Sequence, residues 1–309
     1  MKKILTMFIA ILCLGLLVSC TESKTNKVSI IVPSGTPTLG VADALHSDAD
    51  LFDYNVVQGS DALVAAFTNA NYDIIVAPVN LGAKFYSSLN NFEYVFYQTI
   101  VGGCFYLVTS EDITELSQIN GKEITVFGAN STPDVIIRSL INYYNLDVKI
   151  NYVSDVAEAN ASLISNKSTI IVSAQPSISK FNASGKFNII DLQAEWKKMS
   201  GSTYSIPQAG IFVKKSKLDD KSVVNALNKL NASLSLSTTN PDKLAESGTQ
   251  IDEALNKIGK ETLIKAIPHC NFVTTKNNMA EIEFYFNKLI ELNLGQTMGG
   301  KLPSEDFYA

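Results

Sequence analysis

The chain is poor in the side chains on which metal and nucleophilic chemistry depend. It has two histidines, His46 and His269, and four cysteines among 309 residues. Neither histidine sits in a His-x-x-x-His or Cys-x-x-Cys spacing, so no zinc or haem site is expected. Arg138 is the only arginine, which speaks against bidentate recognition of several phosphates. A formal net charge of −5 gives no basic surface for nucleic acid. Gly-x-Ser-x-Gly, Gly-x-x-x-x-Gly-Lys-Ser and His-Glu-x-x-His are all missing, and with them the signatures of a hydrolase elbow, a phosphate loop and a zinc protease. No catalytic residue, metal site or cofactor is assigned. Repeats of solenoid period, heptad runs and long low-complexity tracts are absent too.

What is present begins at the N-terminus. Met1-Lys2-Lys3 is basic, and the apolar run from Ile4 to Val18 leads to Ser19-Cys20. About 15 apolar residues fall short of the roughly 20 that span a bilayer, and the order of parts is that of a secretory signal. Leu17-Val18-Ser19-Cys20 resembles a lipobox, which implies cleavage before Cys20 and acylation of its thiol. Two or three acyl chains, each gaining about 0.8 kcal/mol per buried CH2, imply stable anchorage to a membrane. An ordinary signal peptide with a chance cysteine is the plain alternative. Residues 21–26 read as a polar tether.

Removing the first 19 of 309 residues leaves 290, more than one core commonly carries, so two lobes are expected. Only Cys104 and Cys270 remain in the folded part. No disulfide framework follows; an outside compartment permits one bond between them, and buried free thiols are the other reading.

From Lys27 onward, short β-rich runs alternate with stretches of helical period, which predicts an α/β protein with mainly parallel sheets. The spacing predicts strands at 28–32, 54–57, 72–77, 104–109, 123–127, 148–153, 169–174 and 207–214. Helices are expected from near Leu39, over 61–69, 134–144 and 156–164, around Trp196, and over 222–236, 241–247, 251–258 and 279–292. The second α/β series, from Glu123, repeats the first in outline.

In open parallel sheets, ligands bind beyond the carboxyl ends of strands, where helix starts present unpaired N–H groups. Residues 34–38, 77–80 and 130–133 each place hydroxyl or amide side chains on such a junction, and Gln175-Pro176 ends a further strand. These neutral groups suit a small polar or anionic solute; equally, Ser, Thr and Asn there could do no more than cap their own helices. Asp43 and Glu195 read as solvated helix charges. Tyr86, Phe105 and Trp196 could stack on a flat ligand, or pack in the core.

The chain resembles the solute-binding lipoproteins of bacterial ABC importers, in the type II periplasmic-binding-protein class that includes sulfonate, taurine and thiamine-precursor binders. The resemblance rests on Pro33-Ser34-Gly35-Thr36-Pro37, on 72–80, on Asn120-Gly121-Lys122, Ala174-Gln175-Pro176 and Pro207-Gln208-Ala209-Gly210, and on the tail from Gly299 to Pro303 with Phe307-Tyr308. It implies two Rossmann-like lobes joined by a two-segment hinge, the first from 27–108 with 209–309 and the second from 109–208. It also implies a ligand cleft walled by Ser34, Gly35, Thr36, Pro78 and Asn80 on one side and Asn130, Ser131, Thr132 and Gln175 on the other, with Gln208 near a crossing segment. The implied activity is capture of a small-molecule solute outside the cytoplasm and delivery to an ABC permease, by a monomer that needs no cofactor and is held to the membrane through Cys20. An enzyme on the same fold and a surface lipoprotein that binds another protein are the rival readings.

Overall fold

The computed structural model describes residues 27–182, 184–276 and 279–309. The expected signal segment, the tether and Cys20 lie outside these residues. Along the chain come β1 (Val28–Pro33), α1 (Thr36–Ser47), β2 (Phe52–Val57), α2 (Asp61–Asn69), β3 (Ile74–Pro78), α3 (Val79–Ser88) and β4 (Tyr94–Val101). After a crossing segment at 102–104 follow β5 (Phe105–Thr109), β6 (Glu123–Phe127), α4 (Thr132–Tyr144), β7 (Lys149–Val153), α5 (Val156–Ile164), β8 (Ile170–Ala174), α6 (Ser179–Asn182), β9 (Asn188–Asp191) and α7 (Leu192–Ser200). The chain returns through 201–208 to β10 (Ala209–Lys214) and ends in α8 (Lys221–Thr239), α9 (Pro241–Ile251), α10 (Glu253–Ile258), α11 (Lys260–Ala266) and α12 (Met279–Glu291).

Two five-stranded sheets result, ordered β2-β1-β3-β10-β4 and β7-β6-β8-β5-β9. In each, one strand is reversed: β10 pairs antiparallel with β3 and β4, and β5 with β8 and β9, while the other pairings are parallel. The sheets are therefore mixed, with four strands of each running the same way. The reversed strand in each sheet directly follows a crossing segment, so each sheet is completed by a strand that the chain enters from the other lobe.

Sequence explains the layering. Ile30, Ile31 and Val32 of β1 are all buried, as befits a central strand covered on both faces, whereas β2 at the sheet edge exposes Asp53, Tyr54 and Asn55. Helix α1 carries Pro37 in its first turn, where a missing N–H costs nothing. Its start at Thr36, one turn earlier than the apolar period suggested, follows from that proline. Helix α3, which periodicity did not single out, contains Gly82, and a Cβ there would fall inside the Phe212 ring. Glycine thus lets α3 lie directly on β10.

The lobes share apolar packing. Tyr285 of α12 meets Trp196 of α7 at 5.6 Å between ring centroids, and its neighbour Phe286 meets Phe307 at 6.4 Å. Trp196 is 1% exposed, so it is a core residue and not a ligand platform. Among the described residues no helix is long and apolar enough to cross a membrane.

Candidate functional site

The cleft lies where the carboxyl ends of the parallel strands of both sheets face each other, and it encloses about 140 Å³. Ser34, Gly35, Thr36 and Pro78 line it from the first sheet, Ser131, Thr132 and Gln175 from the second, and Gln208 from the return segment. Each position follows from a strand-to-helix turn. Gly35, with φ 95°, is the residue before α1, and Ser131 is the residue before α4.

Most of these side chains are bonded to the protein. Ser34 Oγ donates to Asp252 Oδ2 at 2.7 Å, and the Gly35 N–H donates to the same oxygen at 3.0 Å. Thr36 Oγ1 donates to the Gln175 carbonyl, Ser131 Oγ to the Gly128 carbonyl at 2.6 Å, and Thr132 Oγ1 to the Gln208 carbonyl at 3.0 Å. Gln208 Oε1 accepts the Cys104 N–H at 2.9 Å, which ties the two crossing segments to each other.

Asn80 and Asn130 lie elsewhere than on the lining. Asn80 is fully buried; its Nδ2 donates to the carbonyls of Asn130 at 3.1 Å and Thr297 at 3.2 Å, and its Oδ1 faces Thr132 Oγ1 at 3.3 Å. It joins the lobes behind the cleft. Asn130, at φ 62°, donates its N–H to Asp134 Oδ2.

Sequence reasoning passed over two of the turns. Gln58-Gly59-Ser60 after β2 and Ser154-Asp155-Val156 after β7 also line the cleft, and both obey the strand-to-helix rule that picked out the others. They meet at its rim: a Cβ on Gly59 would stand 3.7 Å from the Ser154 carbonyl. The apolar part comes from Val57, Leu63, Phe105 and Phe127, with the two rings 6.2 Å apart. Phe105 is therefore at the site, whereas Tyr86 packs against Phe92 and Phe307.

Several ionisable groups nearby are paired or buried. Asp134, 1% exposed, pairs through both oxygens with Arg138 and accepts the Tyr152 hydroxyl. Burial, and then the hydrogen bond to Asp134 and its charge, push Tyr152 up to about 12. Burial pushes the Cys104 thiol up to about 11, and Cys270 well above its ordinary value. Both cysteines are free and buried. Among the described residues no group of three or more His, Cys, Asp and Glu could hold a metal ion.

No family model matches the chain, and none of the curated proteins matches it in sequence. Solved structures match it over nearly its whole length. An ABC transporter from Parabacteroides distasonis is 20% identical, with a TM-score of 0.72 over 92% of this chain and 98% of that one. The alkanesulfonate-binding protein SsuA from Xanthomonas axonopodis pv. citri, bound to MOPS, is 12% identical, with a TM-score of 0.67 over 89% and 94%. A Candida albicans gene product that exhibits the generic periplasmic binding protein fold is 13% identical, with a TM-score of 0.63 over 91% and 92%. The chain has the α/β fold of the type II periplasmic binding proteins, and the likeness at these identities is one of fold.

Proposed function

We propose that the chain is an extracytoplasmic solute-binding lipoprotein that captures a small organic solute between its lobes and delivers it to an ABC-type import permease. The single observation that carries this reading is that both sheets contribute turns to one cleft and touch each other directly around it, as Thr36 does with Gln175. A solute that contacts both walls favours the closed arrangement by its differential affinity for it. Neighbours of the same fold named as an ABC transporter and as sulfonate-binding SsuA support the transport setting.

The lobes divide at 27–108 with 209–309, and at 109–208; Ser34, Gly35, Thr36, Pro78, Ser131, Thr132, Gln175 and Gln208 contact the solute, and Asn80 and Asn130 hold the walls that present them. A monomer anchored through acylated Cys20 meets the permease at the membrane, and no covalent chemistry is involved.

Thermal unfolding of residues 21–309 against a panel of small solutes tests the receptor role, since a ligand at 100 times its Kd adds about 2.7 kcal/mol. A rise with one compound that is lost in Ser131→Ala supports it; no rise with any compound overturns it. Labelling of whole cells with radioactive palmitate tests the anchor, and label retained in Cys20→Ala would rule the lipidation out.

A further inference from the structure

Four hydroxyl groups of the cleft point their protons the wrong way for an anion. Ser34, Thr36, Ser131 and Thr132 each give their one proton to an acceptor inside the protein: Asp252, the Gln175 carbonyl, the Gly128 carbonyl and the Gln208 carbonyl. A hydroxyl whose proton is committed offers a ligand only lone pairs. At these four positions the walls therefore present acceptors.

Charge runs in the same direction. Among the described residues, Asp155 is the only charged one that lines the cleft, and no lysine, arginine or histidine does. Three of the helix starts around the cleft already have carboxylates of their own. Buried Asp252 takes the Gly35 N–H at the start of α1, Asp134 takes the Asn130 N–H before α4, and Asp155 takes the Glu158 N–H at the start of α5. Pro37 and Pro133 remove a further N–H from the first turns of α1 and α4. Arg138 is held by Asp134 through two bonds.

We propose that the solute is a small, flat, nitrogen-bearing molecule, neutral or cationic, whose N–H groups donate to these walls while its body lies against Phe105 and Phe127. This rests on the solute-receptor reading and narrows it. Asp155 takes the most basic donor. The amide groups of Gln58 and Gln208 are left to meet a carbonyl or ring nitrogen of the same molecule, and the rim hydroxyls of Ser60 and Ser154 serve either role. A sulfonate or carboxylate offers acceptors to acceptors and adds its charge to those of Asp155 and Asp252.

The test uses three compounds of matched size: benzamidine, a cationic donor; benzamide, a neutral donor; and benzenesulfonate, an anion without donors. Each is titrated calorimetrically into residues 21–309, and in parallel the protein is equilibrated with a metabolite extract, washed and unfolded so that the retained compound is identified by mass spectrometry. The expected result is that the retained compound bears N–H groups without net negative charge, and that benzamidine binds at least tenfold more tightly than benzenesulfonate. Asp155→Asn keeps a good helix cap, so it folds, and should weaken benzamidine by tenfold or more with little change for benzamide. Retention of a sulfonate or carboxylate, or preference for benzenesulfonate, overturns the inference and leaves the receptor reading standing. If nothing is retained from the extract and none of the three compounds binds, both fall.

Discussion

Thr36, in the first turn of α1, donates its hydroxyl to the carbonyl of Gln175, at the end of β8 in the other sheet, at 2.5 Å. The bond crosses the cleft directly, and the Cys104 sulfur lies 3.6 Å from the same hydroxyl. Thr36 thus couples the two walls at the point where the chain crosses between them.

Thr36→Val keeps the shape and removes this tie. A net hydrogen bond is worth about 1 kcal/mol, so the variant should bind solute roughly fivefold more weakly. Calorimetric titration checks the affinity, and small-angle scattering of the free protein should show a larger radius of gyration than the parent.

The Asp134–Arg138 pair holds the start of α4. Its carboxylate is buried and also serves Asn130 and Tyr152, so Arg138→Met leaves a charge with too few partners. Breaking a buried pair costs about 3–5 kcal/mol, and because Arg138 is 26% exposed the loss should fall at the lower end. Urea unfolding measures it; an unchanged midpoint would count against the pair as a support of the site.

Cys104 and Cys270 should resist thiol reagents in the folded protein at pH 8 and react in urea. Burial raises both thiols, so the reactive thiolate is scarce. Between about pH 9 and about pH 11 an unfolded chain releases the Cys104 proton while the folded chain keeps it. Stability should therefore fall as pH rises through that window, and less so in Cys104→Ala.

Gly82→Ala tests the packing of α3 on β10. The added methyl falls inside the Phe212 ring, and overpacking of this kind costs about 1–3 kcal/mol. A lowered thermal midpoint is expected, with recovery when Phe212→Leu is added to the variant.

Much of the fold is legible in the chain. β6 and α5 fall on the residues that period and turn chemistry picked out, and most other strands agree within a residue or two. β9 was missed because four residues, Asn188–Asp191, carry too short a pattern, and α3 because Gly82 and the preceding proline read as a turn. The candidate site was legible where hydroxyl-rich turns announced it, at 34–36 and 131–132. At 58–60 and 154–156 it was not, since those turns look like ordinary connections until the lobes bring Gly59 and Ser154 together.

The sequence by itself determined the alternation of strands and helices, the places where the backbone turns, and the scarcity of arginine and histidine. Those are local properties of residue type and period. Tertiary structure alone decided what each cleft group is free to do. Asn80 is spent behind the cleft on Asn130 and Thr297, and Asp252 reaches the start of α1 from more than two hundred residues away. The direction of a hydroxyl proton depends on which acceptor the fold sets beside it, and no pattern along the chain carries that information.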